Sequence, residues 1–301
     1  MLDINDFKPV TLKDHDFFKS FYSKYPTCHS DNTFTNMVCW NDYAEYEYCK
    51  INGAVIISST IENEISFRGP FGTYDSKLLK DTLSLAKKHG DRLAYQIFDE
   101  KMKNDILEIS PDIRMSPDRD YYEYVYDTET LSKLPGKKFL SIRKQINHFK
   151  KNCNYTVEKI TEESIDDINE FLVKWCEWKQ CKKNPILNHE KDATVYAVNH
   201  FAELKLSGLM LVVDGNISAI SVYEELNPET IVVHYEKGLP DCEGNYKVIT
   251  NETAKTALGK YKYINRESDL GVDGLRIAKM RYYPDHFAKV YNINSEDIPD
   301  Y

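Results

Sequence analysis

Apolar positions in the second half of the chain switch between a period of two and a period of 3.6. Leu209 to Val213 is an apolar run that closes on Asp214-Gly215, a pair suited to a tight hairpin turn. Further strand patterns lie at Ile217 to Tyr223 and at Thr230 to Lys237. The stretch Asp241-Cys242-Glu243-Gly244-Asn245 leads into a helical pattern from Tyr246 to Leu258. A strand from Tyr261 to Ile264 and a helix from Gly274 to Tyr282 follow. A strand that reaches a helix N-terminus through a glycine-bearing loop exposes backbone N–H groups and a positive dipole end, which suit phosphate. Gly244 and Asn245 are therefore candidate donor-binding residues.

The first half repeats this order. A helix is expected over Leu12 to Tyr22, with strands over Tyr48 to Ser59 and Glu64 to Gly69. From Leu78 to His89 the positions Leu78, Leu79, Leu83, Leu85 and Ala86 group on one side, and Gly90 stops the helix. Arg92 to Ile97 reads as a strand, Lys101 to Ile109 as a helix and Tyr121 to Tyr126 as a strand. Asn154 to Ile160 then begins the second half, and Thr161 caps a helix with apolar face Ile165, Ile168, Phe171, Leu172 and Trp175. Two strand–Asx-Gly–strand segments, around Asn52-Gly53 and Asp214-Gly215, fit a duplication. The expected domains are residues 1–130 and 153–301, joined by a linker helix over 131–152.

That linker stands apart in charge. From Gly136 to Lys151 it carries Lys137, Lys138, Arg143, Lys144, Lys150, Lys151 and His148, and no acid. Phe139, Ile142, Ile146 and Phe149 recur at helical spacing, so one face packs and the other is positive. Lys137, Arg143 and Lys144 are candidate contacts to tRNA, an anionic lipid or a cofactor phosphate, with a merely solvated face as the alternative.

The 301 residues are 42% hydrophobic and 29% charged, a water-soluble globular composition, and the formal charge of −9 argues against indiscriminate coating of nucleic acid or membrane. No run approaches the roughly 18 apolar residues of a membrane span. Met1 to Val10 shows no secretory signal. Seven scattered cysteines without a Cys-x-x-Cys pair fit a reducing cytoplasm. Cys176 and Cys181, with His189 and His200 downstream, match no zinc spacing, so no metal is expected.

Several blocks carry a family resemblance. They are Thr33-Phe34-Thr35-Asn36 with Trp40, Gly136-Lys137-Lys138-Phe139 with Arg143 and Asn147, and Glu224-Glu225-Leu226-Asn227. They continue with His234-Tyr235-Glu236-Lys237, Asn265-Arg266-Glu267 with Asp269-Leu270-Gly271, and Gly274-Leu275-Arg276 with Lys279 and Tyr283-Pro284. The chain thereby resembles the soluble family (DUF2156) related to the C-terminal catalytic domain of phosphatidylglycerol lysyltransferase. The resemblance implies an α+β protein of two tandem domains similar to GCN5-related N-acetyltransferases (GNAT), the acyl-CoA N-acyltransferase fold. Each would be a mixed central sheet flanked by helices, with the second domain catalytic. It further implies transfer of an aminoacyl or acyl group to an amine or hydroxyl. The donor would be aminoacyl-tRNA or acyl-CoA, with no permanently bound cofactor, and the acceptor a small molecule, lipid headgroup or peptide. The acetyl-CoA phosphate loop, Arg/Gln-x-x-Gly-x-Gly/Ala, corresponds here to Leu239–Gly244 with one glycine, which disfavours simple acetyl-CoA use. An acyl-CoA-dependent small-molecule N-acyltransferase and a catalytically silent ligand-binding module are the alternatives.

Acyl transfer needs a base, donors for the oxyanion and a proton for the leaving group. Strand alternation puts Val232, His234 and Glu236 on one face, beside a strand ending in Glu224-Glu225. His234 and Glu236 are base candidates, against the reading that they are a core histidine and an ion-paired glutamate. Arg276 and Lys279 are three apart and share a helix face. The resemblance assigns Lys279 to the oxyanion or the departing ribose oxygen, and Tyr283 to proton donation. Asp269 is a candidate for orienting an acceptor amine.

Overall fold

The computed structural model describes residues 2–301. The chain begins with β1 (Lys8–Pro9), α1 (His15–Lys24), α2 (Phe34–Cys39) and α3 (Asn41–Ala44). The strands β2 (Glu47–Ile51), β3 (Ala54–Ile61) and β4 (Glu64–Gly72) precede α4 (Ser76–His89), β5 (Tyr95–Phe98) and α5 (Glu100–Ile109). After β6 (Ser116–Pro117) and β7 (Glu123–Asp127) come α6 (Thr128–Lys133) and α7 (Leu140–Asn152). Then follow β8 (Tyr155–Lys159), α8 (Ile165–Lys179), α9 (Pro185–Asn199), β9 (Ser207–Val213), β10 (Asn216–Asn227) and β11 (Thr230–Gly238). The chain ends with α10 (Asn245–Ala257), β12 (Tyr263–Asn265), α11 (Asp273–Met280), β13 (His286–Ala288) and β14 (Tyr291–Ile293).

These strands make two seven-stranded mixed sheets, ordered β1-β2-β3-β4-β5-β14-β6 and β13-β7-β12-β11-β10-β9-β8. Each contains a parallel pair, β4 with β5 and β11 with β12. Both sheets carry helices, the α+β architecture expected of tandem GNAT-like units. The hairpins β2–β3 and β9–β10 turn on Asn52-Gly53 and Asp214-Gly215, with positive φ at all four residues (50°, 84°, 49° and 81°). Positive φ at both central positions is the turn whose twist matches paired strands, so Asx-Gly here sets the hairpin register.

The compact units differ from the expected domains. The first runs to Glu123 and includes 268–273 and 287–301; the second is 124–267 with 274–286. The linker helix α7 thus belongs to the second unit. The final strand β14 completes the first sheet, pairing Tyr291 with Phe98 and Ile293 with Tyr95. Local periodicity announces a strand but carries no information about which distant edge it joins.

In the first unit Ile56, Phe67, Leu79, Leu83, Tyr95, Phe98, Met102, Ile106 and Ile293 form a continuous core. Helix α4 begins where the Asp75 side chain accepts from the Leu78 amide at 2.8 Å. In the second unit Ile168, Phe171, Leu172 and Trp175 bury the expected face of α8, while Ile142, Ile146 and Phe149 bury one side of α7. Each such side chain removed from water contributes about 1.5–3 kcal/mol before conformational entropy is counted. The structure joins Cys153 to Cys242 and Cys176 to Cys181, with Cα atoms 6.6 and 5.2 Å apart, so four of the thiols taken as scattered are paired. Among the described residues no helix is long and apolar enough to cross a membrane.

Candidate active site

The second unit contains a fork. Strands β11 and β12 run parallel for three residue pairs, Thr230 with Tyr263, Ile231 with Ile264 and Val232 with Asn265. Beyond Val232, β11 continues to Gly238 against β10 alone. The chain after β12 instead follows β7, where the Arg266 amide donates to the Tyr124 carbonyl at 3.0 Å. Two neighbouring strands therefore part, and the side chains after the last shared pair converge on the gap.

A β-bulge shapes this region. Val222 faces Tyr235 and Tyr223 faces Val233, which leaves His234 as the extra residue on β11. The alternation that placed His234 and Glu236 on one face stops at the bulge, and their partners differ. His234 donates from Nε2 to Glu224 Oε1 at 2.9 Å and from Nδ1 to Glu267 Oε1 at 2.8 Å. Burial opposes the charged ring, but hydrogen bonds and charge from the two carboxylates outweigh it and raise the pKa to about 10. At neutral pH His234 is an imidazolium with both nitrogens donating. It has no lone pair to offer, which corrects its assignment as a base.

Glu236 meets a different partner. Its Oε2 accepts from Arg266 Nη2 across the fork, and its Oε1 accepts from Thr250 Oγ1 on α10. The Glu236 and Arg266 side chains are only 11% and 14% exposed. Rings of Tyr126 and Tyr282 flank the guanidinium with centroids at 5.8 and 4.9 Å. Burial opposes the Arg266 charge; the Glu236 carboxylate outweighs it and raises the pKa further. Arg266 Nη1 is buried with no hydrogen-bond partner. Lys247, in the first turn of α10, lies over the Tyr282 ring at 5.0 Å. Burial and then the Arg266 charge lower its pKa.

Lys279 reaches the same place from α11. Its Nζ donates to the main-chain oxygens of Arg266 and, at 3.1 Å, of Glu267. The Tyr126 hydroxyl donates to the Lys279 carbonyl at 2.8 Å and ties α11 to β7. Lys279, Arg266, Glu236 and His234 thus share one network at the end of β12. Tyr283 is not drawn in. It is 46% exposed, edge-on to Phe139 at 5.3 Å, with Lys138 over its ring. The aromatic residue that meets Arg266 is its neighbour Tyr282. Arg276 sits on α11, partly exposed. Asp269 is a buried residue of the first unit, where it accepts from Arg119 Nη1 at 3.2 Å and from the Gly271 amide at 3.0 Å.

The N-terminus of α10 is closed, contrary to its expected role as a phosphate cradle. The Asn245 amide donates to Cys242 O at 3.3 Å, and that of Tyr246 to Asn245 Oδ1 at 2.7 Å. Those of Lys247 and Val248 donate to Gly244 O at 2.9 and 3.0 Å. The Asn245 side-chain amide latches the loop by donating to Leu239 O at 2.6 Å and Ser218 O at 3.2 Å. Gly244 has φ 100°, and a Cβ there would lie 2.7 Å from Gln145 O on α7. Helix α7 therefore lies over the loop, and the Cys153–Cys242 bond ties the two together.

Lys137 and Lys138, in the turn before α7, and Lys144, Lys150 and Lys151 on it are exposed. Arg143 is committed elsewhere: its Nη1 donates to the carbonyls of Leu134 and Gly136, closing the end of α6. Strand alternation alone does not point to Arg266, Glu267, Thr250, Tyr126 or Tyr282. Asn265-Arg266-Glu267 stands out in the sequence as a block, but only the parting of β11 from β12 shows why its guanidinium is buried there.

The sequence matches the family described as phosphatidylglycerol lysyltransferase, C-terminal, over residues 22–294. No curated protein matches it by sequence. Among solved structures, a conserved protein of unknown function from Bacteroides thetaiotaomicron is 30% identical, with a TM-score of 0.88 over 96% of this chain and 98% of that one. The C-terminal DUF2156 domain of a protein assigned as lysylphosphatidylglycerol synthetase from Agrobacterium fabrum is 12% identical, with a TM-score of 0.66 over 94% and 92%. L-PGS from Bacillus licheniformis is 13% identical, with a TM-score of 0.63 over 93% and 91%. The last two likenesses concern the fold.

Proposed function

Since the chain belongs to the phosphatidylglycerol lysyltransferase C-terminal family, we propose that it transfers an aminoacyl group from a charged tRNA to an amine or hydroxyl acceptor at the fork of the second unit. The observation that carries this reading is Arg266 Nη1, a buried cationic donor without a partner, on a residue whose own carbonyl receives the ammonium of Lys279. A buried N–H of this kind is costly unless something accepts from it. The carbonyl oxygen of an aminoacyl ester does so, and more strongly as it becomes an oxyanion.

In this reading the acceptor attacks the ester carbon, and Arg266 and Lys279 hold the oxygen that gains charge. The bond to the tRNA ribose then breaks, and the acceptor's proton ends on the departing ribose oxygen. Glu236 keeps Arg266 charged and in place, and the His234–Glu267 pair steadies the carbonyl on which Lys279 rests. The acceptor is a small molecule, a lipid headgroup or a peptide.

Two further features favour tRNA over acyl-CoA as donor. The closed N-terminus of α10 offers no free first-turn amides to a pyrophosphate. The exposed lysines of α7 suit a polyphosphate backbone. The test is direct. The protein is incubated with a mixed pool of radiolabelled aminoacyl-tRNAs and a cell extract of lipids and small metabolites. Label moving from acid-precipitable tRNA to a new product supports the reading; stable tRNA ester together with turnover of an acyl-CoA overturns it.

A further inference from the structure

The first unit buries a second arginine that the transfer chemistry does not use. Register pairs Ile57 with Arg68 and Ser59 with Ser66 across β3 and β4, so Ser59, Ser66 and Arg68 share one face. Phe67, between them, faces the apolar core on the other side. That polar face is connected: Ser59 and Ser66 hydroxyls lie 3.0 Å apart, and Gln96 donates to Ser66 at 2.5 Å. Arg68 is 3% exposed. Its Nη1 donates to the main-chain oxygen of Asp31 at 2.9 Å, and its Nη2 reaches Tyr46 Oη and Ser59 Oγ, each at 3.4 Å. All these acceptors are neutral, and Nε has no partner.

A buried guanidinium ordinarily sits against a carboxylate, because neutral acceptors recover only part of the hydration it loses. The Asp31 carboxylate lies 3.8 Å from His29 Nδ1, is 29% exposed, and acts on the Arg68 guanidinium as a nearby charge. One residue on, Asn32 donates its amide to Ile97 O at 3.4 Å, and its buried Oδ1 has no partner. The turn to which Arg68 Nη1 is tied therefore carries an orphan acceptor and a carboxylate, while Arg68 itself keeps an orphan cationic donor. Tyr121, 37% exposed, is the nearby residue of this region that reaches the surface, and the Arg68 charge acts on its phenol.

We propose that this is a binding site for a free α-amino acid. Arg68 takes the carboxylate through Nε, and Asn32 Oδ1 with the Asp31 carboxylate takes the ammonium. A zwitterion fits because the site offers unmet partners of both signs, whereas a simple anion would leave Asn32 Oδ1 unpaired beside a repelling Asp31. The inference concerns the first unit and stands whether or not the fork transfers aminoacyl groups.

The test is calorimetric titration of the full chain with each of the standard L-amino acids, and of every binder's amide and decarboxylated amine. At least one amino acid is expected to bind. Loss of its carboxylate should weaken binding by about tenfold or more, one decade of Kd. Arg68→Met and Asn32→Ala should do the same. Where Arg68→Met does not fold, Arg68→Lys replaces it and should weaken the same amino acid, since lysine has no Nε–H at that place along the side chain. Silence of the parent with every amino acid at millimolar concentration overturns the proposal. Equal binding by the amide, or by the Arg68 variant, overturns it as well.

Discussion

Arg266 reaches across the gap between β11 and β12 to Glu236, so the strands that part in main chain are rejoined by one ion pair. This relationship removes Glu236 from the role of a free base and makes it the counter-charge of the cation that faces the fork. Breaking one side is expected to be worse than removing both. Glu236→Gln leaves a buried guanidinium uncompensated and should cost about 3 kcal/mol of stability, while the double variant Glu236→Leu with Arg266→Met should recover most of it. Denaturant midpoints of the parent, the single and the double variants check this. A single variant as stable as the parent would mean the pair holds nothing together.

His234 makes stability depend on pH in the alkaline direction. Its pKa is raised from 6.5 to about 10 in the folded protein. The stabilisation is fully present below the unfolded pKa of 6.5, shrinks as pH rises above it, and is gone once pH passes about 10. The whole effect is on the order of 5 kcal/mol. Urea midpoints measured from neutral pH upward should fall steadily in the parent. His234→Gln should start lower, because Glu224 and Glu267 then face each other without the cation, and should show a flatter profile. An unchanged slope in the variant would move the titration to another group.

The exposed lysines on α7 and in the turn before it carry the proposed interaction with tRNA, while the buried face of α7 carries the packing. Lys137→Glu, Lys144→Glu and Lys150→Glu together should leave the circular dichroism spectrum and melting temperature near the parent's. Filter binding should weaken at low salt, and the slope of log K against log salt should shrink by about 2–3, roughly one for each phosphate that a lysine no longer neutralises. Arg143→Glu should behave differently and lower stability, since Arg143 closes the end of α6.

Gly244 tests the closure of the α10 N-terminus. Alanine there must adopt φ near 100° and press its Cβ within 2.7 Å of Gln145 O. Gly244→Ala should therefore cost about 2 kcal/mol through backbone strain and displacement of α7. Acetyl-CoA should shift the melting temperature of neither protein. A parent stabilised by acetyl-CoA, with the effect absent in Gly244→Ala, would show that the loop opens to phosphate after all.

Much of this arrangement is readable in the sequence because it rests on local chemistry. Asn52-Gly53 and Asp214-Gly215 announce their hairpins through residues that tolerate positive φ. Leu78, Leu79 and Leu83 announce α4, and Ile142, Ile146 and Phe149 the packed side of α7. What escapes a sequence reading depends on pairing at a distance. The bulge at His234 arises from a mismatch between β10 and β11, which neither strand shows alone. The membership of β14 in the first sheet depends on an edge nearly two hundred residues away, since Ile293 pairs with Tyr95. The closure of the Gly244 loop depends on α7, a helix whose charge suggests a free-standing linker. Lys279 is legible through family resemblance, whereas choosing Tyr282 over Tyr283 requires knowing which of two adjacent tyrosines turns inward.

The role of Lys279 is the most direct measure of the transfer reading. Single-turnover transfer from aminoacyl-tRNA should fall about 100- to 1000-fold in Lys279→Ala, as expected when a cation is removed from a developing oxyanion. The tRNA dissociation constant should stay near the parent's, because the α7 lysines are untouched. Lys279→Ala transferring at the parent's rate would contradict the account, as would a parent that leaves every aminoacyl-tRNA intact.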